Sequence, residues 1–308
     1  MFKIEVVDNN LNTLATALYV TADDFINTHP ELAPQRPATG IQPRISDAEL
    51  IVLGIIETLL GFTSERRFIR FARTRLASVF PYIPQQPGYN KRQRNLTELM
   101  QHIMTHLATC TGLLNDDVWV VDSTPVECGR SRETVKRSNM AGFAEYGYCA
   151  SHSRFFWGLR LHLVSTLHGL PVGYALTGAK ADERATLLSM LDAAPVPVPA
   201  GQIIMADKGY NGTWLEEELN NGGVELIRPA RKGETSRPGK HFLKPLRQRI
   251  ESVFDTLKGQ LGLEQHGGRT ISGVLSRMVR RLLALSAVIW HNHTTGQPVL
   301  RSLTAYDH

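Results

Sequence analysis

Asp122 closes the apolar run Val118-Trp119-Val120-Val121, and Asp207 closes a second, Ile203-Ile204-Met205-Ala206. A third acid, Glu251, stands in a basic stretch between Arg247 and Lys258. Short apolar runs rich in β-branched residues read as buried strands. An aspartate at the end of such a strand sits at the rim of a sheet, where the strand fixes its position. Two rim carboxylates and one from a helix can hold a pair of Mg²⁺ ions, the usual apparatus for in-line displacement at phosphate.

The third acid can be placed by angle. At about 100° per residue, with Arg247 at zero, Glu251 falls at about 40° and Lys258 at about 20°. Leu246, Ile250, Val253 and Leu257 fall between about −60° and −120°, on a separate apolar stripe. One face of this helix therefore packs on the sheet, and the neighbouring face presents Arg, Glu and Lys together. An ordinary surface Arg–Glu pair is the plainer alternative, but it leaves Asp122 and Asp207 unaccounted for.

The elements that must position these residues follow in order. Residues 1–43, with Pro30, Pro34, Pro37 and Pro43, are expected to form an arm or short accessory helix. Ser46 and Glu49 make a capping box for a helix ending near Gly61. A second helix starts at Glu65 and carries Arg66, Arg67, Arg70, Arg73 and Arg75 around an apolar stripe of Phe68, Phe71 and Ala72. Helix, short turn and basic helix resemble a helix-turn-helix. Pro81, Pro84 and Pro87 are expected to break the chain before a further helix over 96–107.

From about residue 117 the pattern changes to strands. The first is expected to end at Asp122, and the second, over 155–166, to be half-buried, since Leu159, Leu161 and Leu163 alternate with Arg160 and His162. A hairpin to 170–177, a helix over 182–191, the strand before Asp207, a helix over 213–220, a strand over 224–227, the Glu251 helix and a long C-terminal helix complete the order. This is the order of an α/β RNase H-like mixed sheet flanked by helices, behind an all-helical N-terminal domain. The expected divisions are an arm over 1–43, a helical DNA-binding domain over 44–111, a catalytic domain over 112–294 and a tail over 295–308.

Composition narrows the partners. The 308 residues carry a net charge of +5, unevenly spread. Residues 1–63 hold three Lys/Arg against eight Asp/Glu, 64–94 hold eight against one, and 228–258 hold nine against three. Concentrated basic stretches suggest nucleic-acid contacts. Arg130 and Arg132 begin another, between the first two strands. Cys110, Cys128 and Cys149 form no CxxC pair, which argues against a disulfide framework or zinc site. No segment has the length and apolarity of a membrane span, and a cytoplasmic location is expected.

The three acidic segments together resemble the DDE transposases of bacterial insertion sequences, over roughly residues 45–294. Within that class the resemblance is to the insertion sequence 982-type family and its relatives with a Tyr-Arg-Glu-Lys signature. Arg247, Glu251 and Lys258 match the spacing of its last three residues; Lys244 stands where the tyrosine is expected. Val121-Asp122-Ser123-Thr124-Pro125 and Ala206-Asp207-Lys208-Gly209-Tyr210 resemble the first two acidic segments. The resemblance implies Asp122, Asp207 and Glu251 as catalytic ligands of Mg²⁺, with Mn²⁺ as substitute and two ions in the site. It implies cleavage at the element's terminal inverted repeats, joining to target DNA, and a homodimer on DNA. Arg247, Lys258, Lys244, Arg66, Arg70, Arg73, Arg130 and Arg132 are the expected DNA contacts. A metal-dependent nuclease that cuts without joining, or a DNA-binding protein that has lost catalysis, are the alternatives.

Overall fold

The computed structural model describes residues 9–36, 39, 42–129, 131–149, 153–235, 237 and 240–306. The chain divides into two compact units. One comprises residues 1–110, 257–268 and 272–308; the other comprises 111–256 and 269–271.

The second unit is built on a six-stranded mixed sheet. β1 (Val118–Gly129) pairs antiparallel with β3 (Arg154–Thr166). On its far side β3 pairs first with β2 (Glu145–Cys149) and then with β4 (Pro171–Gly178), both antiparallel. On the other side, β1 pairs in parallel with β5 (Ile203–Met205), and β5 with β6 (Glu225–Ile227). Helix α7 (Glu183–Asp192) precedes β5, and α8 (Thr213–Asn221) makes the crossover to β6. Helix α9 (Lys240–Asp255) packs against β1 and β5. A parallel pair needs such a crossover and is covered by it, which is why β5 reads as an unbroken apolar run.

Two features of the sheet differ from the expectations. β1 does not end at Asp122 but continues for seven more residues, with Thr124 and Val126 buried. The β1–β5 ladder, however, stops at Val120 opposite Met205. Beyond it, among the described residues, that side of β1 has no strand partner, so Pro125, which has no N–H to donate, is tolerated there. β3 is buried on both faces. His162 is fully buried, its Nε2 lies 2.9 Å from Thr177 Oγ1, and burial lowers its pKa to about 4, so the ring is neutral.

The first unit contains α1 (Asn9–Thr28), α2 (Asp47–Leu59), α3 (Glu65–Arg75), α4 (Gln86–Asn95), most of α5 (Thr97–Thr111) and α10 (Ile271–Thr294). The segment expected to form an arm or short accessory helix contains the 20-residue α1, which buries Leu11, Leu14, Leu18, Ala22 and Phe25 at helical spacing. The expected capping box is present at α2: Glu49 N–H donates to Ser46 Oγ at 3.0 Å, and Ser46 N–H to Glu49 Oε2 at 2.6 Å. Pro87 does not break a helix but stands in the first turn of α4, where its missing N–H costs nothing. After α9 the backbone forms a five-residue π-helical stretch over Thr256–Gln260. The angular spacing that put Lys258 on the Arg247–Glu251 stripe does not hold through a π turn.

Candidate active site

Asp122 and Asp207 each stand two residues beyond the last parallel pair, Val120–Met205. They therefore stand at equivalent points of neighbouring chain segments, at the carboxyl end of the parallel ladder, where ligands of open α/β sheets bind. Both line one small pocket with Val121, Ala206 and, from α9, Arg247 and Ile250. The two carboxylates are held differently. Ser123 N–H donates to Asp122 Oδ1 at 2.7 Å. Asp207 caps the short 3₁₀ turn Lys208–Tyr210, its Oδ1 accepting from Gly209 N–H at 2.6 Å.

A third carboxylate belongs to this neighbourhood. Glu183 Oε1 accepts from Ser123 Oγ at 2.6 Å and from Arg160 Nη1 at 2.7 Å, and Arg160 Nη1 also donates to Ser123 Oγ at 2.9 Å. A Cβ on Gly209 would lie 2.8 Å from Asp207 Oδ1 and 3.3 Å from Glu183 Oε2, so a glycine allows this close approach. The electrostatics agree with the geometry. Burial raises the pKa of Asp122 to about 6, and the charges of Asp207 and Glu183 push it the same way. The Ser123 N–H and Arg247 oppose the shift. Tyr210 is fully buried, its hydroxyl has no hydrogen-bond partner among the described residues, and burial followed by Glu183, Asp122 and Asp207 raises its pKa well above the usual range.

Glu251 pairs with Arg247 on α9. Its Oε1 lies 3.1 Å from Arg247 Nε, one helical turn away, and both side chains are about half exposed, at 53% and 50%. Arg247 reaches the pocket lining and Glu251 does not. Among the described residues no group of three His, Cys, Asp or Glu has the geometry to share a metal ion. Two hard oxygen donors, one disfavoured as an anion by burial and like charge, are nonetheless a donor set that suits a divalent cation.

The remaining expected contacts are distributed. Arg66, Arg70 and Arg73 are exposed on α3, and Arg73 Nη2 donates to the Ile83 carbonyl at 2.8 Å. Arg132 is exposed at the start of the short helix α6 (Arg132–Arg137). Lys258 lies in the π-helical stretch. Arg130 lies outside the described residues, as does the side chain of Lys244, a residue of α9.

Glu183 was not legible as a site residue. Asp182-Glu183 reads as a helix start, and Asp182 is indeed the N-cap of α7, accepting from the N–H of Arg184 and of Ala185. The one available signal was Arg160, a charge within an apolar strand that needs a partner.

Residues 114–287 match the family model described as the Transposase DDE domain. A Burkholderia cepacia protein, described as a candidate transposase for insertion sequence element IS402, is 29% identical over 84 residues. That match covers 25% of this chain and 40% of the relative, so the chain spans about two fifths of the relative's length. No helix among the described residues is long and apolar enough to cross a membrane.

Proposed function

The chain belongs to the Transposase DDE domain family, and from that premise we propose that it is a DNA transposase that cuts the ends of an insertion sequence and joins them to target DNA. The observation that carries the proposal is the pairing of Asp122 and Asp207, two residues past the last parallel pair and in one pocket with Arg247. The strand order, with an antiparallel β4-β3-β1 half and a parallel β1-β5-β6 half, supports an RNase H-like catalytic fold.

In this reading Asp122 and Asp207 would hold Mg²⁺ or Mn²⁺, as two ions, and Glu251 would complete the ligand set when DNA is bound. Such an ion supplies Lewis-acid polarisation of the phosphate and a lowered pKa for an attacking water or hydroxyl. Arg247 faces the pocket and holds a phosphate oxygen of the scissile strand. Arg160 and Ser123 fix Glu183, which keeps the acidic wall rigid beside Asp122. Hydrolysis breaks the phosphodiester at the element end and frees a 3′-OH; that hydroxyl then attacks a target phosphodiester, whose 3′-oxygen leaves as the new P–O bond forms. No covalent protein–DNA intermediate is needed. Arg66, Arg70 and Arg73 on α3, with Arg132, supply phosphate contacts that position the terminal inverted repeats. Two ends must be processed together, which calls for a homodimer on DNA.

The test measures gel-shift binding and cleavage side by side, on DNA carrying the element's ends. Asp122→Asn, Asp207→Asn and Glu251→Gln should bind like wild type and fail to cut in Mg²⁺ or Mn²⁺. Cleavage at the wild-type rate by any one of them removes that residue from the site.

A further inference from the structure

Within the helical unit, a cavity of about 170 Å³ is lined by Glu57, Glu65, Lys258, Arg277, Arg280 and Arg281, among others. Three guanidiniums thus face two carboxylates. Glu57 Oε2 accepts from Arg280 Nη1 at 2.7 Å, and Glu65 Oε1 from Arg277 Nη2 at 2.7 Å. Those pairs use both acids. Among the described residues Arg281 donates only to carbonyls: Nε to Leu261 at 2.8 Å, Nη1 to Arg277 at 2.8 Å and Nη2 to Gly262 at 3.0 Å. It is 6% exposed. Burial first, and then Arg280 and Arg277, push its pKa down to about 9 against the opposing pull of Glu57. A second deficit lies beside it. The Nε–H of Arg280, a residue 3% exposed, has no acceptor among the described residues.

A guanidinium only donates, and a desolvated donor without an acceptor is costly. A water could satisfy the Arg280 N–H but not the excess charge. An anion with several acceptor oxygens satisfies both; phosphate matches guanidinium geometry and has oxygens enough to face two arginines at once. We propose that this cavity binds one phosphate-class anion, with Arg280 and Arg281 as its principal donors. The anion is either a phosphodiester of DNA or free phosphate. The proposal rests on the helical unit alone, so it can fail while the Asp122–Asp207 reading stands, and the reverse.

The test is calorimetric titration of the full chain with inorganic phosphate at constant ionic strength in chloride, together with gel-shift binding of duplex DNA. Wild type is compared with Arg281→Gln and Gly259→Asp. Gly259 lines the cavity, and a Cβ there meets no atom within 4 Å, so Gly259→Asp adds a negative charge without crowding the fold. It keeps the test valid if Arg281→Gln does not fold. Wild type should bind phosphate saturably, and each folded variant should lose roughly tenfold in affinity. If saturating phosphate also weakens DNA binding, or if Gly259→Asp weakens DNA binding while phosphate alone does not bind, the natural occupant is a DNA phosphodiester. If phosphate binds and DNA binding is unaffected, the occupant is free phosphate. Phosphate binding equally to wild type and Gly259→Asp overturns the proposal. So does the absence of phosphate binding by wild type together with unchanged DNA binding by Gly259→Asp.

Discussion

Asp122→Asn should stabilise the metal-free protein while removing its activity. The pKa of Asp122 is raised from 3.8 to about 6, chiefly by burial and then by Asp207 and Glu183. Below about pH 4 the group is protonated in both the folded and unfolded chain and contributes nothing. Between about pH 4 and 6 the unfolded chain releases its proton first. The folded state then binds more protons, and stability falls as pH rises. Above about pH 6 the full penalty remains. A shift of about two units at 1.36 kcal/mol each sets an upper bound of about 3 kcal/mol. The carboxylate keeps some exposure to solvent, which lowers the expected figure to about 2 kcal/mol. Asparagine has the same shape, can still accept from Ser123 N–H, and carries no charge to bury. The assay is urea denaturation in chelator at pH 4.5 and pH 8, followed by tryptophan fluorescence, because Trp119, Trp157 and Trp214 lie in the unit that carries Asp122. About a third of the penalty is already present at pH 4.5, so the variant should gain on wild type between the two pH values by roughly 1.3 kcal/mol. Adding Mg²⁺ should then stabilise wild type and leave the variant unmoved. A variant-to-wild-type difference that is the same at both pH values would refute the reasoning, because it would mean that Asp122 ionises without cost.

Three further outcomes are expected. Glu57→Gln should destabilise the helical unit by about 3 kcal/mol in denaturant, since Arg280 and Glu57 are both buried and the guanidinium loses its nearest countercharge; a loss below about 1 kcal/mol would mean that Glu65, 3.6 Å from Arg280, carries the pair alone. Reversing the charge at Arg66, Arg70 and Arg73 should lower the slope of log affinity against log salt by roughly 0.9 for each phosphate that the protein no longer neutralises; an unchanged slope makes them a solvated face. Arg247→Ala should slow joining at saturating DNA by more than it weakens binding, whereas Arg249→Ala, exposed and outside the pocket lining, should resemble wild type; equal losses at the two positions would remove Arg247 from the site.

Where apolar pattern and function coincided, the sequence was readable. The runs before Asp122 and Asp207 are parallel strands because their apolar residues pair across β1 and β5. The Ser46–Glu49 box starts α2 because its signal is complete within four residues. Elements with inverted or split signals were not readable. β2 turns Gly147 and Cys149 inward and leaves Tyr146 and Tyr148 exposed, so its aromatic residues mark the wrong face. Gly147 is required there, since a Cβ would meet that of Ala179 at 2.7 Å. α1 was hidden because the prolines that suggested irregularity lie beyond its end, from Pro30 onward. In the site, Glu183 depends on Ser123, 60 residues away, and on Arg160, 23 away. No local spacing encodes those pairings; they exist only once β1, β3 and α7 are assembled. The π turn over Thr256–Gln260 is equally invisible to a 100° count, so that count does not extend from Arg247 to Lys258.

The central claim is that one centre, built on Asp122 and Asp207, both cuts and joins. The most direct measurement is single-turnover joining of a pre-cut element end, with its 3′-OH already free, to target DNA in Mg²⁺, by wild type and Asp207→Asn. Wild type should convert the end to joined product, and Asp207→Asn should bind the same DNA and form none. Joining by Asp207→Asn at the wild-type rate would contradict the account. Cleavage of intact ends by wild type without any joining of the pre-cut end would make the protein a nuclease instead.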